Sequence, residues 1–392
     1  MRENKRRNAG AHYASAAKPA SRAYSRGNGP VAPQQYLEHS KSNKPRLRGW
    51  EKALITILVL VVLSGCTAFG YMMHLNKSIH LEDKDDLART TKVLEEPLEM
   101  NDSFYALVIG SDSRTMSLKG TRSDVLILCH VDPEQHLVNM VSIPRDTAVN
   151  IPGHGVCKIN AAMAYGGVSG TIDCVSKFAG VPISHFAVVR FDNVVDIVDS
   201  LGGVEVNVPQ GFTTHYSGVT VPQGVNNLNG QQALAFARER YHVTGGDFAR
   251  AQAQRTVMKA VVNKVLNASV SDMPGLVESL AKGVATDLDM ADIVALAVQF
   301  KDGGITFNSA TCPSYCKNMN GASYVCTMLD QWKEMMRRLD ANIDPSDTTA
   351  TIPVDAKISP QVGVPTNSAS PQQYAEGDAT QSVLPEDYGL NV

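Results

Sequence analysis

Acidic residues and large apolar side chains are scarce at the start of this chain. Residues 1–52 contain twelve Lys or Arg against three Glu, a net charge of +9, while the whole chain carries −3. The remainder therefore carries about −12. Such a basic, weakly apolar segment cannot bury enough surface to offset the entropy of ordering, so we expect a disordered tail. The tail has no helix-turn-helix pattern, which argues against nucleic acid as a partner.

Charge is absent from residues 53–73, an apolar run of roughly the twenty residues that an α-helix needs to cross a bilayer. Basic residues precede the run and the first acidic cluster follows it. The positive-inside rule therefore places the N-terminus in the cytoplasm and the remainder outside the cell. A small-x-small cleavage site is also missing, which argues against a cleaved signal peptide. We predict a single-pass signal anchor in the cell membrane, with a lipoprotein signal at Leu63-Ser64-Gly65-Cys66 as the alternative.

Cysteine is infrequent, with seven in the chain and six after the apolar run. An extracellular compartment permits disulfides. The short loops that pairing would close are Cys157 with Cys174 and two among Cys312, Cys316 and Cys326. Zinc is the weaker alternative for the last three because no fourth ligand lies near them in sequence. Cys129 falls in a predicted buried strand, where a free core thiol is expected.

Apolar runs bounded by turn residues predict an α/β domain. Predicted strands are Phe104–Ile109, Val125–Val131, Leu137–Ile143, Phe186–Phe191, Val204–Val208 and Ile305–Asn308. Predicted helices are Asn160–Tyr165, Thr171–Phe178, Asn193–Ser200, a helix capped by Asn229 that runs to Arg238, and Asp247–Leu266, with a loop over Pro209–Asn227. Because strands alternate with helices and are apolar on both faces, we predict a mixed central β-sheet flanked by helices on both faces.

The predicted domain, residues 102–342, has a segment on each side. Residues 74–101 are expected to form a juxtamembrane linker with a short helix near Leu87–Leu94. Residues 343–392 are rich in Pro, Ser, Thr and Gln, a composition typical of unstructured tails.

Two carboxylates stand at predicted strand ends. Asp112 follows the first strand by three residues, and Asp124 opens the second. If these strands are neighbours, the two carboxylates meet at one edge, where their repulsion calls for a cation. Hard oxygen ligands suit Mg²⁺ or Mn²⁺ together with substrate phosphates. The alternative is that each Asp caps a turn or pairs with a neighbouring Arg.

Arginine is concentrated at predicted element ends, although the outer part of the chain is acidic. The cluster consists of Arg114, Arg122, Arg145, Arg238, Arg240 and Arg250. Guanidinium groups stay protonated and match phosphate oxygens in pairs, so the cluster predicts an anion site. Asp247, Arg250 and Gln254 share one face at the start of a predicted helix, where free N–H groups also favour anions. Lys158 would add one more cation, and structural Arg–Asp bridges are the alternative.

A long, ordered series of motifs runs through the predicted domain. In chain order these are G-S-D-S-R, R-S-D-V-L-I-L, S-I-P-R-D, K-I-N-A-A, L-G-G-V-E-V-N-V-P, L-N-G-Q-Q-A-L-A-F-A-R-E-R and D-F-A-R-A-Q-A-Q-R. From about Phe104 to Leu266 the series resembles the LytR-CpsA-Psr family of bacterial cell-envelope proteins, with a weaker likeness to about Leu339. The resemblance implies a signal-anchored extracellular domain with an apolar tunnel for polyprenyl pyrophosphate. It also implies transfer of a glycan phosphate, from teichoic acid, capsule or a similar glycopolymer, onto peptidoglycan.

The resemblance implies roles for individual residues as well. Asp112 and Asp124 would hold Mg²⁺ against the pyrophosphate, and Asp247 would orient Arg side chains or water. The residues that would grip the pyrophosphate oxygens are Arg122, Arg145, Arg238, Arg240, Arg250 and Gln254. Many members carry Arg just before the final Gln, where this chain has Ala253. The alternatives are a polyprenyl-pyrophosphate hydrolase with water as acceptor and a non-catalytic binder or regulator of envelope synthesis.

Overall fold

The structure is a computed structural model that describes residues 70–71, 73–81, 83–95, 102–111, 120–215, 217–239, 246–268, 273–319, 321–354, 356 and 358. The strands are β1 Phe104–Ser111, β2 Ser123–Asp132, β3 Leu137–Ser142, β4 Ala148–Ile151, β5 Gly155–Lys158, β6 His185–Arg190, β7 Val204–Val208, β8 Phe212–Thr213, β9 Thr220–Val221, β10 Gly224–Leu228, β11 Val284–Thr286, β12 Thr306–Thr311, β13 Ser314–Met319 and β14 Ala322–Thr327. The helices are α1 Lys84–Val93, α2 Ala161–Ala179, α3 Phe191–Ser200, α4 Gly230–Arg238, α5 Gly246–Leu266, α6 Met273–Gly283, α7 Met290–Gly303 and α8 Leu329–Asp340.

The predicted mixed central sheet is confirmed. Six strands pair in the order β11, β6, β1, β2, β3, β12. Strand β2 is antiparallel to both β1 and β3, whereas β6 is parallel to β1 and β12 is parallel to β3. The antiparallel β2–β3 pair is joined by a turn at residues 133–136, while the parallel pairs need the longer connections that carry the helices.

Helices cover both faces of this sheet, as predicted. Along β2, Leu126 and Leu128 join the larger core, which α2 and α8 close from one side with the fully buried Trp332. The alternate residue Ile127 faces the other side, where α5 and α7 pack and Phe300 is buried. Because successive side chains of a strand point to opposite faces, a strand covered on both sides reads as a continuous apolar run. This is why β1, β2 and β3 are recognisable in the sequence.

The predicted strand Val204–Val208 lies outside the central sheet. It forms β7, which pairs with β10 in a two-stranded antiparallel ribbon. Val204, Val206 and Val208 are buried and the residues between them are exposed, an alternation typical of a half-exposed antiparallel strand. The predicted loop Pro209–Asn227 is also wrong in part, since β8, β9 and most of β10 lie within it.

Helix α2 spans both helical stretches predicted at Asn160–Tyr165 and Thr171–Phe178, with a kink at Gly167 between them (φ 68°, ψ −154°). Asp86 of α1 caps the second half of α2, because its carboxylate accepts hydrogen bonds from Val168 N (3.0 Å) and Ser169 Oγ (3.1 Å). A Cβ at Gly167 would lie 2.5 Å from an oxygen of Asp86. Part of the expected linker therefore packs on the domain, and its predicted short helix is confirmed.

The predicted basic tail, most of the predicted membrane anchor and most of the predicted C-terminal tail lie outside the described residues. Residues 53–69 fall there entirely, and none of the helices that the structure describes is long and apolar enough to cross a bilayer. At the other end, Ile343 N donates to the Arg338 carbonyl (2.9 Å) and Arg338 Nε donates to the Pro345 carbonyl (3.3 Å). The first residues of the predicted C-terminal tail thus contact α8.

No disulfide forms among Cys312, Cys316 and Cys326, which are free thiols. In the β13–β14 ladder Cys316 stands opposite Val325, and Cys326 stands opposite Tyr315. Adjacent positions of a strand point to opposite faces, so Cys316 and Cys326 point away from each other. Cys312 is buried in the main core, whereas Cys326 belongs to a separate small cluster.

The expected Cys157–Cys174 disulfide is also not formed. Cys157 Sγ is 3.5 Å from the carbonyl oxygen of His154, while Cys174 lies on α2 and packs against the main core, where burial raises the pKa of its thiol to about 12. Cys129 is the free core thiol that its strand position predicted, and burial raises its pKa to about 12 as well.

Candidate active site

A β-bulge presents Asp124 at the edge of the central sheet. Gly110 pairs with Val125 and Ser111 pairs with Ser123, so Asp124 has no partner of its own on β1. A bulge of this kind re-aims the side chain of the extra residue. Gly110 permits the close approach of the two strands, because a Cβ there would lie 2.7 Å from Val125 Cβ. The prediction that Asp124 lies at the opening of the second strand is confirmed.

The chain leaves β3 through a tight turn that carries Arg145 to Asp124. Thr147 donates to the Pro144 carbonyl from both its backbone N (3.0 Å) and its Oγ1 (2.6 Å). This turn places Arg145 Nη1 2.5 Å from Asp124 Oδ1, and each of the two side chains keeps 27% of its surface exposed. Arg145 Nε is buried and has no hydrogen-bond partner in the described part of the chain.

Several carboxylates act on the Arg145 guanidinium. Burial lowers its pKa, but the hydrogen bond to Asp124 and the charges of Asp124, Asp247 and Asp146 raise it more, so the net shift is upward. Arg145 therefore remains a cation throughout the physiological pH range. The three carboxylates and this guanidinium form the charged centre of the candidate site.

Helix α5 contributes one face to this centre, as its spacing predicted. Asp247, Arg250 and Gln254 all line the same cavity. Arg250 Nη2 lies 3.1 Å from Asp247 Oδ2, and Gln254 Nε2 donates to the Ala237 carbonyl at 3.3 Å. The second contact ties α5 to the end of α4, so the positions of these side chains depend on both helices.

The cavity has a volume of about 450 Å³ and lies where β2, β3 and α5 meet. Its charged lining residues are Asp124, Arg145, Asp146, Asp247 and Arg250. Apolar side chains such as Val125, Ile143 and Phe248 complete the wall, so the cavity offers charge beside an apolar surface. A second cavity of about 630 Å³ lies between α1 and α2, but none of the predicted site residues lines it. The smaller cavity is therefore the candidate site.

The β13–β14 hairpin forms a wall of the cavity that the sequence analysis missed. Cys316, Ser323 and Val325 line the cavity, and Val325 N donates to the Asp146 carbonyl at 2.9 Å. An Asn-Gly pair between two apolar stretches is a strong signal for a hairpin, and residues 320 and 321 are Asn and Gly. That signal predicts the hairpin itself, although nothing in the sequence predicts its contact with the turn after β3.

Three predicted cations stand outside the cavity lining. Lys158 Nζ pairs with Asp146 Oδ1 at 3.2 Å, so it reaches the site through that carboxylate. Arg122 and Arg238 are exposed, and the Arg238 guanidinium lies 5.3 Å from the ring centroid of Phe191. The predicted arginine cluster thus converges in part, and the alternative of Arg–Asp bridges also holds for Arg145 and Arg250.

Three further predicted site residues lie outside the described part of the chain: Asp112, Arg114 and Arg240. Asp124 is the described member of the predicted metal pair, and it offers the oxygen donors that Mg²⁺ prefers. Among the residues that the structure describes, no group of three or more His, Cys, Asp or Glu side chains is placed to hold a metal.

Comparisons with a family model, with related sequences and with solved structures all point to the same family. Residues 69–341 match the model of the LytR_cpsA_psr family. The chain is 37% identical over 255 residues to the polyisoprenyl-teichoic acid–peptidoglycan teichoic acid transferase TagU of Bacillus licheniformis, which covers 62% of this chain and 81% of that protein. The crystal structure of Bacillus subtilis TagV is similar with a TM-score of 0.54 and 30% identity, over 62% of this chain and 98% of that one. The structure of TagT bound to LIIa-WTA is similar with a TM-score of 0.54 and 27% identity, over 65% and 96%. The chain belongs to the LytR_cpsA_psr family.

Proposed function

We propose that this protein is a membrane-anchored phosphotransferase that moves a glycan phosphate from a polyprenyl-pyrophosphate carrier onto peptidoglycan. The observation that carries the proposal is the cavity in which Asp124, Arg145 and Arg250 meet at the edge of the central sheet. The relatives named above support the type of reaction, because TagU is described as transferring teichoic acid from a polyisoprenyl carrier to peptidoglycan.

The cavity has the chemistry that a lipid pyrophosphate needs. Arg145 lines the cavity and presents a guanidinium there, which is held in place by the hydrogen bond from its Nη1 to Asp124. Arg250 adds a second guanidinium at the first turns of α5, where the helix dipole also favours an anion. Apolar lining residues such as Phe248 would contact the isoprenoid part of the carrier.

We propose Mg²⁺ or Mn²⁺ as the cofactor, held by Asp124 and Asp112. The carboxylate of Asp124 is partly exposed and lines the cavity, so an oxygen ligand is present beside the proposed phosphate position. A bound divalent ion would neutralise phosphate charge in the way that metal ions assist phosphoryl transfer.

In the proposed reaction, a peptidoglycan hydroxyl oxygen attacks the glycan-proximal phosphorus. The bond from this phosphorus to the bridging oxygen breaks, and polyprenyl phosphate leaves with the bonding electron pair. Arg145 and Arg250 would stabilise the charge that builds on the phosphate oxygens, which is the main task of the protein in phosphoryl transfer. A carboxylate of the site would accept the hydroxyl proton, and Asp247 would hold Arg250 in position through their ion pair.

The proposed location follows from the charge pattern of the N-terminus. Residues 53–73 would anchor the chain in the cell membrane with residues 1–52 in the cytoplasm. The domain would then stand outside the membrane, where the lipid carrier and peptidoglycan meet.

The test is an assay of the full-length protein in detergent with a labelled lipid-linked saccharide, Mg²⁺ and peptidoglycan fragments. We expect wild type to form a phosphodiester-linked product and the variant Asp124→Ala to form none. Asp173→Ala is the matched control, because Asp173 is also a partly exposed, cation-paired carboxylate but lies on α2 beside the second cavity.

Two results would replace the proposal with its alternatives. Release of the phosphorylated saccharide without any acceptor product would indicate a hydrolase. Retention of the lipid-linked saccharide with no product in any condition would indicate a binding protein.

A further inference from the structure

Helix α5 carries a buried cation that none of the proposed roles uses. Arg255 has only 3% of its surface exposed. Its Nη1 donates to Ser142 Oγ at 2.5 Å and to Thr311 Oγ1 at 3.0 Å, and its Nε has no partner in the described part of the chain. No described carboxylate forms an ion pair with it. A buried charge without a counter-ion is unfavourable in the protein alone and favours an anion close by.

The charge of Arg255 persists at neutral pH. Burial lowers its pKa to about 10, which leaves it protonated. Lys259, one turn further along α5, is a second cation on this side of the sheet, and its Nζ lies 3.5 Å from the Phe307 carbonyl. Burial and the charge of Arg255 lower the pKa of Lys259, whereas Asp344 raises it. Asp344 thus partly offsets Lys259, while no acidic group offsets Arg255 to a comparable extent within the described residues.

Ser142 connects this buried cation with the cavity. It is the last residue of β3, it stands beside Thr311 in the β3–β12 ladder, and it lines the cavity, whereas Thr311 does not. A guanidinium has donors only, so Ser142 Oγ must act as the acceptor towards Arg255. The hydroxyl proton of Ser142 is then left for another acceptor, and no described residue accepts it.

We propose that Ser142 donates a hydrogen bond to a phosphate oxygen of the ligand and that Arg255 is the positioning residue that fixes the direction of this hydroxyl. The inference rests on the proposed function, since it assumes a pyrophosphate in the cavity. In this proposal the phosphate oxygens contact the guanidinium groups of Arg145 and Arg250 and also the neutral hydroxyl of Ser142. The oxygen of that hydroxyl accepts a hydrogen bond from Arg255. The chain then supplies a cation from position 255 of α5, two residues after the position where Ala253 replaces the arginine of many relatives.

The experiment measures binding of inorganic pyrophosphate to the full-length protein in detergent by isothermal titration calorimetry, with Mg²⁺ present. Ser142→Ala and Thr311→Val form a matched pair, because each removes one hydroxyl that accepts from Arg255, but Ser142 alone lines the cavity. We expect Ser142→Ala to weaken binding about tenfold, the effect of one hydrogen bond to a charged group. Thr311→Val should change the affinity less than twofold.

Variants of Arg255 test the positioning role. Arg255→Gln should weaken pyrophosphate binding, and Arg255→Lys should restore most of the affinity because it keeps a buried cation. Thermal unfolding of each variant identifies those that do not fold, and the Ser142 and Thr311 pair decides the question if Arg255→Gln is unfolded.

The outcomes separate this inference from the proposed function. If wild type binds pyrophosphate and Ser142→Ala binds equally well, or if both hydroxyl variants lose the same affinity, the role of Ser142 and Arg255 is refuted while the proposed function stands. If wild type itself binds no pyrophosphate, the proposed site fails and this inference fails with it.

Discussion

Two aspartates of this protein lie beside the start of a helical segment, and their surroundings differ. Asp86 caps the second half of α2 with a side chain that is 9% exposed, and it accepts hydrogen bonds from Val168 and Ser169. Asp247 lies in the first turn of α5 with a side chain that is 42% exposed, and it pairs with Arg250 at the cavity. The first carboxylate is enclosed by its partners, and the second faces open space.

The difference separates a structural carboxylate from one that is available to a ligand. The hydrogen bonds to Asp86 join α1 to α2, and its removal would leave buried donors unpaired. Asp124 and Asp247 meet side-chain cations next to a cavity, so a ligand can exchange partners with them. The four predictions below test this contrast, from the largest expected effect to the smallest.

The largest effect is expected on the transfer rate when Arg145 is replaced, because Arg145 lines the cavity together with Asp247. Arg145→Ala should lower the transfer rate by about 10²–10³-fold, the usual cost of removing one group that stabilises developing charge. The unfolding free energy should change by about 1 kcal/mol or less, because a partly exposed ion pair contributes little. Product formation and thermal unfolding of the same preparation measure both. A stability loss as large as that of a core substitution would contradict the assignment of Arg145 to the open site.

The next effect concerns the enclosed carboxylate. Asp86→Ala should lower the unfolding free energy by about 2–3 kcal/mol, because it leaves the backbone N–H groups of Val168 and Ser169 without their acceptor. Asp83→Ala is the control, since this exposed cap of α1 should contribute about 1 kcal/mol. Denaturant unfolding followed by circular dichroism gives both values. The transfer rate per folded molecule should be unchanged in Asp86→Ala, and a selective loss of activity would contradict the comparison.

A smaller effect is expected at Lys158, which reaches the site through Asp146. Its ion pair is partly exposed, so Lys158→Met should alter stability by less than about 1 kcal/mol. The transfer rate should fall only a fewfold, because Lys158 does not line the cavity. A loss equal to that of Arg145→Ala in the same assay would show that Lys158 contacts the substrate directly.

The smallest effect is a protection measurement at Cys316. This exposed thiol lines the cavity, and burial together with the charges of Asp247 and Asp146 raises its pKa. Added pyrophosphate should slow its alkylation a fewfold, because the anion covers the thiol and disfavours the thiolate further. Mass spectrometry of the labelled peptides follows the reaction. Alkylation of Cys157, which does not line the cavity, should not change, and an equal slowing at both thiols would argue against binding at this site.

Much of the fold is readable in the sequence because its strands are buried on both faces. The runs at β1, β2 and β3 are apolar apart from single polar residues such as His130 and Asn139, which is the pattern that a covered central strand imposes. The Asn229 cap of α4 is equally local, since Asn229 and Gln232 form a reciprocal capping box. The sequence predicts β7 as a strand but not its pairing with β10, because the residues of one strand do not specify its partner.

The candidate site is readable only in part, for a different reason. The stripe of Asp247, Arg250 and Gln254 depends on helical spacing alone and was predicted correctly. Arg122 and Arg145 each occur close to an Asp in the sequence, yet Arg145 alone lines the cavity. Which of the two turns inward depends on the bulge at Asp124 and on the turn at Pro144, and neither is visible in residue spacing.

The hairpin wall has a consequence for the order in which the site is completed. Val325 of β14 bridges to Thr147, a residue that is synthesised long before it. Pairing of residues so distant in the chain carries a loop-closure cost and comes late in folding. A nascent chain that ends before β13 would contain β1, β2 and β3, but the cavity beside Asp146 would lack the wall that the β13–β14 hairpin forms. The cavity wall is therefore complete only after nearly the whole domain has been synthesised.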